Sequence, residues 1–112
     1  MKVLVCGGRD FCDRHLVDRV LGELDIAVLI SGGALGADSL AEDWARRNEV
    51  TRVIMPAKWK LHGKAAGPIR NRNMIKLMPD LVVAFPGGSG TRDMIKVAKE
   101  KGIEVRIVEE NS

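Results

Sequence analysis

With 112 residues, 46% of them hydrophobic and 29% charged, the chain is sized for one core and reads as a single globular domain over 1–112. No apolar run approaches the ~20 residues of a membrane span, and Val3-Leu4-Val5-Cys6 is too short for a signal-peptide core, which leaves the cytoplasm as the expected compartment. The formal charge of +3 is mild but uneven: Lys58, Lys60, Lys64, Arg70 and Arg72 fall between Ala57 and Asn73 with no acid among them, a pattern that suits an anionic ligand better than general affinity for nucleic acid.

Taken in order, Lys2 to Cys6 reads as a buried strand that runs into Gly7-Gly8-Arg9-Asp10. Leu16, Val17, Val20, Leu21 and Leu24 share one helical face, so a helix follows, with Asp10 or Asp13 available to cap it. Cys6 and Cys12 have no companion pair and fit no metal or redox spacing, which makes them reduced thiols. Ile26 to Ile30 is a second strand, leading into the glycine-rich turn Ser31-Gly32-Gly33-Ala34-Leu35-Gly36-Ala37-Asp38. A second helix over Asp38–Asn48 places Leu40, Ala41, Trp44 and Ala45 on its apolar side.

Arg52 to Met55 is a third strand, stopped by Pro56. Ala57 to Gly67 reads as a basic, aromatic loop. Pro68 then takes a place in a first helical turn, and the helix continues over Ile69–Leu77. Leu81 to Ala84 is a fourth strand and enters Phe85-Pro86-Gly87-Gly88-Ser89-Gly90-Thr91. The helix after Thr91 buries Met94, Ile95, Val97 and Ala98 and ends at Gly102. Glu104 to Val108 is a fifth strand, and Glu109 to Ser112 are expected to fray.

Strict alternation of strand and helix predicts an α/β fold, a Rossmann-like three-layer sandwich around a five-stranded parallel sheet of order 3-2-1-4-5. Right-handed crossovers then set the loops after strands 1 and 4 on either side of the topological switch point. Glycine pairs at Gly7-Gly8, Gly32-Gly33 and Gly87-Gly88 all end strands, so they share one rim. Each alone is only a tight turn. Together, beside a cationic loop, they point to a phosphorylated ligand. The turn from Phe85 to Thr91 is the centre of that reading, because a helix directly follows it and aims unpaired N–H groups at the same place. The P-loop pattern G-x-x-x-x-G-K-[ST] is absent, and so is G-x-G-x-x-G after strand 1.

Gly8-Arg9-Asp10, Ser31-Gly32-Gly33-Ala34-x-Gly36-Ala37-Asp38, Trp59 with Gly63-Lys64-Ala65-Ala66-Gly67-Pro68, Arg70-Asn71-Arg72-x-Met74, and Asp80 through Gly88-x-Gly90-Thr91 together resemble the SLOG superfamily, in its YspA/YpsA-like branch. The resemblance implies a Rossmannoid fold that binds nucleotides or nucleotide-derived ligands, often as a homodimer. Relatives include the "Lonely guy" phosphoribohydrolases and the single-stranded-DNA-binding DNA-processing protein A family. The hydrolase motif PGGxGTxxE falls on Pro86 to Met94, so Met94 stands where those enzymes carry glutamate. Their arginine matches Arg70.

The ligand-binding set implied by loops and resemblance is Gly8, Arg9, Asp10, Ser31, Gly32, Gly33, Trp59, Lys64, Arg70, Gly87, Gly88, Ser89, Gly90 and Thr91. Phosphate is expected on Gly87, Gly88, Gly90 and Thr91, helped by Gly32, Gly33 and Arg70, with sugar and base toward Arg9, Asp10 and Trp59. Asp10, Asp38 and Asp93 each sit where a helix begins, so capping is their default. In a hydrolytic reading they supply the acid. A third reading, single-stranded nucleic-acid binding, rests on Lys58, Trp59, Lys60 and Lys64. His15 and His62 lack partners at metal spacing, and neither a metal nor a separate cofactor is expected.

Overall fold

The structure, a computed structural model, describes residues 1–110. The expected fraying of Glu109 to Ser112 lies, for its last two residues, outside them. Five parallel strands, β1 (Lys2–Cys6), β2 (Val28–Ser31), β3 (Thr51–Ile54), β4 (Leu81–Ala84) and β5 (Glu104–Ile107), form one sheet in the order β3-β2-β1-β4-β5. This is the predicted order. Register follows the central strands: Leu4 pairs with Ile30 on one side and Val82 on the other.

Alternation along the central strands divides the core into two halves. Val3, Val5, Leu81 and Val83 pack beneath α1 (Arg14–Gly22) and α2 (Ala37–Arg47), with Leu16, Val17, Val20, Leu21, Ala41 and Trp44. Leu4, Cys6, Val82 and Ala84 face the other way, against Met74 and Ile75 of α4 (Ala66–Ile75) and Met94, Val97 and Ala98 of α5 (Ser89–Glu100). Both faces of β1 and β4 are covered, which is why these strands show no polar alternation. The edge strands β3 and β5 expose most of their residues.

Several boundaries differ from the sequence reading. The segment expected as a loop from Ala57 to Gly67 contains a single helical turn, α3 (Trp59–His62), then a 3₁₀ turn (Gly63–Ala65) that runs into α4. Helix α4 thus begins two residues before Pro68, which still lies in the first turn, where its missing N–H costs nothing. Helix α5 begins at Ser89 rather than after Thr91, which brings Ser89 and Gly90 into its first turn. Its end is as expected: Gly102 adopts φ +72° and the Ile103 N–H returns to the Ala98 carbonyl at 2.9 Å. Among the described residues no helix is long and apolar enough to cross a membrane.

Candidate functional site

The three glycine-bearing turns meet at the carboxyl edge of the sheet, as the strand order requires. They are tied to one another by backbone. Gly8 donates its N–H to the Pro86 carbonyl at 2.8 Å, and the Gly8 carbonyl accepts from Ala37 N–H at 3.1 Å. Close approach makes glycine necessary here. A Cβ on Gly36 would fall on the Gly8 carbonyl, and one on Gly87 would collide with Thr91 Oγ1 and lie 2.7 Å from Gly8 N.

Between these turns, α3 and α4 opens a cleft of about 1150 Å³. Of the residues singled out from the sequence, Gly8, Arg9, Asp10, Gly32, Gly33, Asp38, Trp59, Lys64, Arg70, Gly87, Gly88, Ser89, Gly90, Thr91 and Asp93 all line it. Ser31 does not: it is fully buried, and its hydroxyl donates to Glu42. Met94 is fully buried in the core half under α4 and α5. Trp59 is 59% exposed and its ring edge comes to rest over Gly67, so a flat apolar face stands at the cleft's margin. Lys58, Lys60 and Arg72 lie outside the lining. The cation-rich segment therefore gives the cleft Lys64 and Arg70 only, which with Arg9 oppose Asp10, Asp38, Asp93 and Glu110.

None of the three aspartates caps a helix. Asp13 does so for α1, its Oδ1 accepting from Leu16 N–H at 3.1 Å. Asp38 instead turns back into the β2 turn. Its Oδ2 accepts from Ala34 N–H at 3.2 Å. The β2 turn thus already holds a carboxylate built into the chain, on its Ala34 amide. Burial pushes the Asp38 carboxyl up from 3.8 to about 6, while the Ala34 amide and the Arg70 guanidinium pull the other way. Burial likewise pushes the Cys6 thiol below it up to about 12, helped by the Asp38 charge.

The amides of the β4 turn are different. Helix α5 has no side-chain cap, and the N–H groups of Ser89, Gly90 and Thr91 have no acceptor among the described residues. They carry the positive end of the α5 dipole. The sequence leads one to expect three turns pooling their amides. Gly8 spends its N–H on Pro86 and Ala34 spends its own on Asp38, whereas the first turn of α5 keeps three amides in a row without an acceptor among the described residues.

Arg70, on α4, reaches across the cleft edge to the β2 turn. Its Nη1 donates to the Gly32 carbonyl at 2.8 Å, and its Nε donates to Asn71 Oδ1 at 3.1 Å. A Cβ on Gly32 would lie 2.7 Å from Arg70 Cζ, so glycine is what lets the guanidinium lie flat there. Asn71 in turn donates to the Gly90 carbonyl at 3.2 Å and to Asp93 Oδ2 at 3.0 Å. Arg72 points away from the cleft and approaches Asp93 from outside at 3.5 Å, in keeping with its offset of about 200° from Arg70 on the helix. The sequence assigns Asn71 no role of its own. The only signal for it is its place inside the motif Arg70-Asn71-Arg72-x-Met74.

Fold and cleft together define a Rossmann-like α/β protein with a loop-rimmed cavity at the switch point. The family description "YspA, cpYpsA-related SLOG family" matches residues 1–62. The Gene 61 protein of Mycobacterium phage D29 is 40% identical over 116 residues, an alignment covering 93% of each chain. The molybdenum cofactor binding protein from the phototrophic bacterium Rippkaea orientalis shares the fold with a TM-score of 0.73 at 22% identity, over 98% of this chain and 77% of that one. The chain belongs to the YspA, cpYpsA-related SLOG family.

Proposed function

We propose that the protein binds a nucleotide or nucleotide-derived phosphate ester in this cleft, for sensing or sequestration rather than chemistry. The observation that carries the reading is the uncapped first turn of α5, whose Ser89, Gly90 and Thr91 amides open onto a cavity that Arg70 overlooks. Unpaired N–H groups at a helix start are a ready site for phosphate, and a guanidinium adds a charge-assisted partner. Sugar and base extend past Arg9 and Asp10 toward Trp59, whose exposed face suits stacking on a heterocycle. The family assignment and a fold relative that is a cofactor-binding protein support small-molecule binding in general.

Isothermal titration with AMP, adenosine and inorganic phosphate tests this. Binding is expected for AMP, with phosphate weaker and adenosine weaker still. Adenosine binding as tightly as AMP would remove the phosphate from the account.

A second reading is hydrolysis of an N-glycosidic bond, and one observation favours it. Asp38, a buried carboxyl lining the cleft and raised to about 6, lies in the range of a working general acid. Against it, Met94 occupies the core where the hydrolase glutamate would stand, and the Asp93 carboxylate is committed to Asn71 and Arg72. Chromatography of the AMP incubation decides: free adenine that vanishes in Asp38→Asn makes the protein an enzyme.

A further inference from the structure

We propose that Asn71 is a positioning residue that locks Arg70 to the first turn of α5, fixing the spacing between the cation and the helix terminus. The inference rests on the phosphate-binding reading above for its functional consequence, but the lock itself stands on geometry. Asn71 is only 3% exposed, and both ends of its amide are used. Oδ1 accepts from Arg70 Nε at 3.1 Å, while the two Nδ2 hydrogens serve the Gly90 carbonyl at 3.2 Å and Asp93 Oδ2 at 3.0 Å. A carboxamide is the side chain with one acceptor end and one two-donor end. Aspartate offers no donor to Gly90 and sets a like charge against Asp93. Leucine offers neither end.

Arg70 needs this support because a long, half-buried side chain has many rotamers to lose. Held at Nη1 by the Gly32 carbonyl and at Nε by Asn71, the guanidinium has three of its five N–H donors left for a ligand. The Gly90 carbonyl belongs to the α5 turn whose amides face the cleft, so a single side chain joins the two halves of the cradle. Neither contact is visible from helical spacing. Residues 70 and 71 diverge by about 100° on α4, and only the guanidinium folding back brings them together.

The test uses ¹⁵N-labelled protein and follows the Arg70 Nε–H, with the exposed Arg92 as internal reference. In the wild type the Arg70 signal is expected to exchange with solvent at least about 10-fold more slowly than that of Arg92, consistent with a charge-assisted bond. Asn71→Ala removes that protection, and equal exchange of Arg70 and Arg92 in the wild type would overturn the lock. AMP titration runs in parallel. Asn71→Ala weakens AMP about 10-fold, but adds less than about 2-fold once Arg70→Gln is present, because it acts through Arg70. Full additivity overturns the positioning role. If the wild type shows the protection yet binds no AMP, the functional reading fails and the lock stands. Should Asn71→Ala not fold, Asn71→Asp serves: it keeps the acceptor, so protection persists while the α5 first-turn amides shift, and lost protection in that variant refutes the proposal.

Discussion

Asp38→Asn is the substitution that most directly weighs burial against charge in the cleft floor. In the wild type, burial outweighs the Ala34 amide and Arg70, and the carboxyl is raised from 3.8 to about 6. At 1.36 kcal/mol per pH unit this corresponds to about 3 kcal/mol. The direction follows from linkage. Below pH 3.8 the group is protonated in both states and contributes nothing. As pH rises, the unfolded chain ionises first while the native state resists, so the contribution of Asp38 to wild-type stability falls between about pH 4 and 6 and levels off above. Asparagine keeps the shape and an acceptor for Ala34 but does not titrate. Urea unfolding followed by tryptophan fluorescence, at steps from pH 4 to 7.5, gives the stability difference between the two proteins. That difference is expected to move by about 3 kcal/mol in favour of Asn across the window. A flat difference would show that the carboxyl is not desolvated. Movement in the opposite sense would show that Arg70 dominates it.

Other expectations follow from single contacts. Arg70→Gln keeps a donor but removes the charge, and should weaken AMP by about 10- to 100-fold in calorimetry, with a matching loss of salt dependence. Gly87→Ala pushes a Cβ against Thr91 Oγ1 and to 2.7 Å from Gly8 N, whereas a Cβ on Gly88 meets nothing within 4 Å. Thermal melts should therefore show a cost of about 1–3 kcal/mol for the first and at most about 1 kcal/mol for the second, where alanine replaces glycine at the α5 N-cap without a clash; a larger cost at Gly88 than at Gly87 would contradict the packing. Asp43 is held down to about 2 by hydrogen bonds from Arg46 and Arg47. Its contribution is present above 3.8 and is lost as pH falls toward 2. Melting temperatures of wild type and Asp43→Asn should then converge on acidification, and a gap that persists at pH 2 would exclude the ion pairs as its source.

The fold was legible because its signals are local and repeat. Apolar strands such as Leu81–Ala84, each followed by an amphipathic helix, admit few parallel arrangements, and the strand order with its converging glycine turns followed. The membership of the cleft was largely legible for the same reason, since strand ends in such a sheet share a rim. What escaped was the fate of individual hydrogen-bonding groups. From sequence, the β2 turn and the β4 turn look alike, each a glycine pair before a helix. Asp38 turns back onto the Ala34 amide of the first, while the second keeps its Ser89, Gly90 and Thr91 amides without an acceptor among the described residues. The fate of Ser31 is hidden in the same way, because nothing local indicates that Glu42 of α2 takes its hydroxyl. The segment 57–67 gave no helical periodicity because α3 is one turn long and buries no side chain.

The central claim is that the anion is received by the α5 terminus and not by the β2 turn. Amide chemical shifts recorded while AMP is added to ¹⁵N-labelled protein test it directly. The account predicts saturable movement of the Ser89, Gly90 and Thr91 amides that exceeds any at Gly32, with Ala34 held nearly still by Asp38. Movement centred on Gly32 and Ala34, with the α5 terminus unchanged, would contradict it.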